Sequence, residues 1–131
     1  MITKSVLTIA MTLFSIIGAA EEKATIAPKI AIQIKLKAKA GHEADLANLL
    51  KMAAGIVKAT EPKTLYWYAT QLDASTFTIN DGFADESGVD AHFGGQVAAA
   101  LKSRASELVE GGWVGGVLPN VQKSTILSTI R

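Results

Sequence analysis

The chain contains no cysteine. That excludes disulfides, thiolate metal sites, thiol nucleophiles and a lipid-modified N-terminal Cys. Histidine is scarce too, with only His42 and His92. Two histidines this far apart, with no clustered carboxylate, make no metal site. No Gly-rich phosphate loop occurs, since Gly111 to Gly116 lacks the strand before and helix after that a dinucleotide motif needs. No basic run or stripe is present, and 13 Lys and Arg nearly cancel 12 Asp and Glu. A nucleic acid, which needs a concentrated cationic surface, is therefore not an expected partner. What remains is 131 residues, enough for one domain around one hydrophobic core.

The N-terminal segment stands apart from that domain. Lys4 supplies a positive charge, Val6 to Ile17 is an apolar run broken only by Thr and Ser, and Gly18, Ala19 and Ala20 precede the polar Glu21 and Glu22. This pattern predicts a secretory signal peptide cleaved after Ala20. An uncleaved anchor is the competing reading, but the run falls short of the ~20 residues needed to span a bilayer. The expected arrangement is a signal peptide at 1–20, a tether at 21–28 and a domain at 29–131. The mature protein is then periplasmic or secreted, with no membrane attachment after cleavage.

Within the domain, Ile30, Ile32, Ile34 and Leu36 alternate with Lys29, Gln33, Lys35 and Lys37, an amphipathic strand. Leu46, Leu49, Leu50, Ala53 and Val57 recur at helical spacing, predicting a helix over 43–59 that Glu61-Pro62 ends. Thr64 to Thr70 is β-rich, with Leu65, Trp67 and Ala69 facing one way and Tyr66, Tyr68 and Thr70 the other. A turn at Asp73 to Ser75 leads into a strand at Thr76 to Phe83, so these two pair as a hairpin. Asp85 and Ser87 can cap a helix that carries His92 and that Gly94-Gly95 kinks or splits. An irregular loop around Trp113 and a strand at 122–130 complete the chain.

The order β-α-β-β-α-β is the ferredoxin-like α+β motif, an antiparallel sheet with both helices on one face. The other face stays open, carrying Tyr66 and Tyr68 or Leu65 and Trp67 according to register. Burying it is worth roughly 25 cal/mol per Å² of apolar area. A homodimer joined face to face is therefore expected, with a ligand cavity between the sheets.

That topology, together with the phrases Leu36-Lys-Ala-Lys-Ala-Gly-His-Glu-Ala-Asp-Leu46 and Phe83-Ala-Asp-Glu-Ser-Gly-Val-Asp-Ala-His92, resembles the antibiotic biosynthesis monooxygenase (ABM) family of dimeric α/β barrels. The resemblance covers about residues 29 to 110. It departs from the family where Val97 stands in place of a second His and Phe83 in place of a Trp. The first strand has no Asn of the kind that related haem-degrading enzymes use, which counts against haem degradation. The resemblance implies oxygenation of small quinols or phenols without metal or flavin.

Such chemistry needs a base, oxyanion donors and a dry aromatic cavity. His92 is the candidate base, because its ordinary pKa lies nearest neutrality. The competing reading is a His that fixes its helix by bonding a neighbouring backbone or Asp group. Asp81 is in phase with Phe77, Ile79 and Phe83, so it is either buried beside a partner such as His92 or a Tyr, or exposed by a bulge near Gly82. Tyr66, Trp67, Tyr68, Phe83 and Phe93 are the candidate residues for a small aromatic molecule, or they fill a dimer core. His42 reads as solvent-exposed. Three functions follow: a cofactor-independent quinol monooxygenase, a non-catalytic exported binding module, or an isomerase or decyclase-like enzyme.

Overall fold

The computed structural model describes residues 25–130; the expected signal peptide and residues 21–24 lie outside the described residues. Strand β1 (Ile30–Lys37) buries Ile32, Ile34 and Leu36 and exposes the residues between them. Helix α1 (Glu43–Thr60) follows a turn in which Gly41 adopts φ +87°, a conformation cheap only for glycine. It buries Leu46, Leu50, Ala53 and Val57, one stripe at helical spacing. Strands β2 (Thr64–Gln71) and β3 (Thr76–Phe83) form a hairpin. Asp73 Oδ1 closes its turn by accepting from the Ser75 and Thr76 N–H groups at 3.0 and 2.8 Å.

Helix α2 (Glu86–Phe93) starts at Asp85, whose carboxylate accepts from the Ser87 and Gly88 N–H groups. The glycine pair splits the second helical segment, and α3 (Gln96–Leu108) begins after Gly95. The stretch expected to be irregular contains a π-helical turn, Trp113–Val117, and a 3₁₀ turn, Leu118–Asn120. The left-handed Gly111 and Gly112 admit the chain into it. Strand β4 is Val121–Thr125, shorter than the expected 122–130. Pairing with β1 stops at its first residue, Ile30, and beyond it Leu127 and Ile130 stand exposed.

The sheet order is β2-β3-β1-β4, every neighbouring pair antiparallel, which is the ferredoxin-like α+β arrangement. Ile32, Ile34, Leu36, Phe77, Ile79 and Phe83 share a core with Leu46, Leu50, Val89, Leu101 and Leu108 of the helices. A register shift between Thr64 and Tyr66 places Trp67 opposite Asp81 and Ala69 opposite Ile79, toward that core. Tyr66, Tyr68 and Thr70 lie opposite Gly82, Asn80 and Thr78 on the open face. That face is polar as well as aromatic. Gln33 donates to Asn80 at 3.0 Å, Asn80 donates to Thr78 at 2.8 Å, and the Thr70 and Thr78 hydroxyls bond each other.

Candidate active site

Three titratable side chains from three parts of the chain meet under the helix-covered face. Asp81 on β3 is 0% exposed, His92 in the last turn of α2 is 5% exposed, and Glu61, just past α1, is 6% exposed. His92 Nδ1 lies 2.6 Å from Glu61 Oε1, a hydrogen bond, and Nε2 lies 3.0 Å from Asp81 Oδ2. The second contact has ion-pair distance without hydrogen-bond alignment, so neither Asp81 oxygen has a directed donor. Thr64 Oγ1 donates to Glu61 Oε1 at 2.8 Å, while Glu61 Oε2 is buried with no protein donor. The Phe83 and Phe93 rings flank the imidazole with centroids 5.4 and 5.7 Å away.

Burial raises the Asp81 pKa above the usual carboxylate value; the His92 contact opposes this without cancelling it, and the charge of Glu61 adds to the rise. Burial pulls His92 down, but the contacts with Asp81 and then Glu61 outweigh it, so its pKa is raised. A histidine held toward its cationic form already carries its proton and is less available to accept another. The better proton acceptor of the pair is the buried carboxylate, and the imidazolium is suited to steadying an anion beside it. Glu61 and Asp81 address opposite ring nitrogens, so this trio cannot close around one metal ion.

His92, Trp67 and Phe93 line a small cavity of about 20 Å³ with Ile79, Trp113 and Val117. That is room for about one water. The Trp67 indole N–H is buried there without an acceptor. Phe83 is fully buried against the imidazole. Tyr66 and Tyr68 lie on the opposite face of the sheet, their rings 6.1 Å apart and 28° from parallel. Tyr66 covers Gly82 so closely that a Cβ there would sit 1.9 Å from its ring. Partial burial, then Tyr68 and Asp81, raises the Tyr66 pKa. One chain therefore cannot bring the tyrosines and His92 to the same pocket. Outside the cavity, a groove of about 320 Å³ is lined by Glu61, Pro62, Lys63, Gly94 and Gly95.

Sequence reasoning missed Glu61, which appeared only as the residue that ends α1. One signal was available: a helix C-terminus favours cations, so an acidic residue there needs a compensating partner. The view that neither histidine has clustered carboxylates is also corrected. His42 has a 36% exposed side chain, and its Nδ1 lies 3.1 Å from Asp45 and 3.9 Å from Glu107. Among the described residues these three are the only His and carboxylate group compact enough for a metal ion. Arg104 shares Glu107 at 3.6 Å, and the group is a surface ion-pair network.

No family model and no curated protein matches the chain. Among solved structures, proteins provisionally named antibiotic biosynthesis monooxygenases share the fold. The one from Bacteroides thetaiotaomicron is 15% identical with a TM-score of 0.58, covering 78% of this chain and 90% of its own. The one from Deinococcus radiodurans is 17% identical with a TM-score of 0.56, covering 78% and 94%. The architecture is thus that of the ABM-like ferredoxin-fold domains. More similar in sequence is a protein of unknown function from Nitrosomonas europaea, 37% identical with a TM-score of 0.73, over 81% of this chain and 96% of that one. The chain belongs to the family of this Nitrosomonas protein, within the ABM fold.

Proposed function

We infer that the protein is an exported, cofactor-independent monooxygenase acting on small quinols or phenols. The observation that carries this reading is the buried Asp81–His92 contact, with His92 on the wall of an aromatic-lined cavity. Asp81 takes the phenolic proton, and His92 steadies the resulting oxyanion, which can pass an electron to dioxygen. The stoichiometry closes without a cofactor: one hydroquinone and one dioxygen give a hydroxyquinone and water, the substrate supplying every electron. A ring exceeds the roughly one-water cavity, so the walls must part to admit it. The glycine break between α2 and α3 interrupts the helical backbone beside Phe93 and Val97 of the cavity wall.

The assembly is a homodimer through the open sheet faces. Support comes from the half-buried Tyr66, the exposed Tyr68 and a depression of about 350 Å³ lined by Gln33, Lys35, Tyr68, Thr78 and Asn80. A second function, a non-catalytic exported binding module, is favoured by the mostly apolar lining of the inner cavity. Oxygen uptake by the purified mature protein against a panel of hydroquinones, with and without chelator, separates the two. Uptake that survives chelator and drops ~10²–10⁴-fold in a folded His92→Gln variant supports the enzyme. Saturable binding of the same compounds with no uptake supports the module. Intact mass of protein from the cell envelope tests export, and light scattering at micromolar concentration tests the dimer.

A further inference from the structure

Glu61 has no part in the proton transfer as described, yet it holds the shortest contact in the cluster. The carboxylate sits at the C-terminal end of α1, where the helix dipole disfavours a negative charge, and it is 6% exposed. Two donors, His92 Nδ1 at 2.6 Å and Thr64 Oγ1 at 2.8 Å, converge on its Oε1. Pro62 follows it, and Gly95 closes over its other oxygen; a Cβ on Gly95 would lie 3.0 Å from Oε2. A carboxylate only accepts hydrogen bonds, so Nδ1 must carry a hydrogen whenever Glu61 is ionised.

We propose that Glu61 is a positioning residue that fixes His92 in the Nδ1-protonated form and so confines the mobile proton to the Asp81–His92 contact. This rests on the reading of that pair as the site's acid–base unit. With Nδ1 committed to Glu61, the one remaining proton resides on Nε2 or on Asp81, whose Oδ2 lies 3.0 Å away. Either Asp81 is ionised beside an imidazolium, or it is protonated beside a neutral ring. Without the Glu61 charge, neutral His92 is free to place its hydrogen on Nε2, and Asp81 stays ionised beside an uncharged ring. The other charged or titratable groups near the cluster are Lys63, at the groove and bonded to Ser87, and Tyr66, across the sheet. Neither touches the ring.

The test is ¹⁵N NMR of the His92 ring across a pH titration, in the native chain and in Glu61→Gln. In the native protein the neutral ring should show a protonated Nδ1. The Glu61→Gln variant should titrate at lower pH, and its neutral ring should shift toward the Nε2-protonated form. Glu61→Asp, which keeps the charge on a shorter stem, should retain the Nδ1-protonated form. Should Glu61→Gln fail to fold, Glu61→Asp and Thr64→Val carry the test. Glu61→Asp lengthens the contact and should lower the His92 midpoint, whereas Thr64→Val leaves Oε1 to His92 alone and should raise it. A merely structural Glu61 would lose stability in all three variants with the His92 midpoint and tautomer unmoved, and that result overturns the proposal. The titration reads the free protein. A negative oxygen-uptake assay alongside a shifted tautomer therefore rejects the enzyme reading alone.

Discussion

Both histidines of this protein are bracketed by two carboxylates, and the two settings differ in almost every other respect. At His42, Asp45 and Glu107 approach the same nitrogen at 3.1 and 3.9 Å, and the three side chains are 36–52% exposed. At His92, Glu61 and Asp81 take opposite nitrogens at 2.6 and 3.0 Å, and nothing in the trio is more than 6% exposed. Water screens the first group and supplies any missing hydrogen bond, so its geometry is loose and Arg104 can join it. The second group has no such reserve. Its charges must compensate one another, and the Asp81 oxygens and Glu61 Oε2 still lack directed donors. The same residue types yield a surface network in one place and a poised acid–base cluster in the other. Burial and the direction of approach make the difference.

The largest expected effect separates the clusters by stability. His92→Ala removes the cation between two buried carboxylates and should lower unfolding free energy by about 3–5 kcal/mol. His42→Ala removes only an exposed pair and should cost about 0.2–1 kcal/mol. Urea unfolding of both variants measures the contrast, and equal losses would break it.

Each cluster also has its glycine, required for different reasons. Gly95→Ala forces a Cβ to 3.0 Å from Glu61 Oε2 and 3.1 Å from the His92 carbonyl, and should cost about 1–3 kcal/mol through overpacking. Gly41 has open space but φ +87°, so Gly41→Ala should cost about 1–2 kcal/mol from backbone strain. Asparagine should be the discriminating substitution. It tolerates the left-handed region at 41, yet its bulk at 95 should be worse than alanine. Thermal denaturation giving the reverse order for Asn would assign both glycines the wrong role.

The smallest expected signal is in the pH dependence. The His92 pKa is raised on folding, so its contribution to stability is fully present below the ordinary value of about 6.5 and is lost as pH rises through the folded value. Asp81 is also raised, which likewise makes folding less favourable as pH rises above about 3.9. Asp73 and Asp85 are lowered, first by bonds from Ser75 and Ser87 respectively, and their contributions are lost on acidification instead. Stability should therefore decline from mildly acidic to alkaline pH, and His92→Gln should flatten that slope. Urea midpoints that climb toward alkaline pH would contradict the cluster's electrostatics.

Features carried by neighbouring residues are legible in the sequence alone. The alternation of Ile32, Ile34 and Leu36, the helical stripe of Leu46, Leu50, Ala53 and Val57, the Asp85 cap and the break at Gly94-Gly95 all recur in the fold. Each is a local matter of side-chain period or backbone hydrogen bonding, and a window of a few residues contains the physics. Burial of Asp81 is legible as one of two alternatives, because its phase is plain but a bulge near Gly82 is open; the register shift lies instead at Thr64/Tyr66 on the neighbouring strand. The end of β4 at Thr125 is not legible, since β-branched residues continue to Ile130 while the partner strand has already run out.

Only the tertiary structure decided what Glu61 does. Thirty-one positions separate it from His92, and no pattern along the chain links a residue that ends one helix to the last turn of another. The packing of α2 over β3 brings His92 Nε2 to Asp81, and the exit of α1 brings Glu61 to Nδ1. Removing all three from water then turns ordinary surface chemistry into a coupled cluster, because a buried charge has only its immediate neighbours for compensation. Composition and periodicity determined the strands, the helices and the face that Asp81 shares with Phe83. Long-range closure of the fold determined which charges meet, and with that the chemistry available to them.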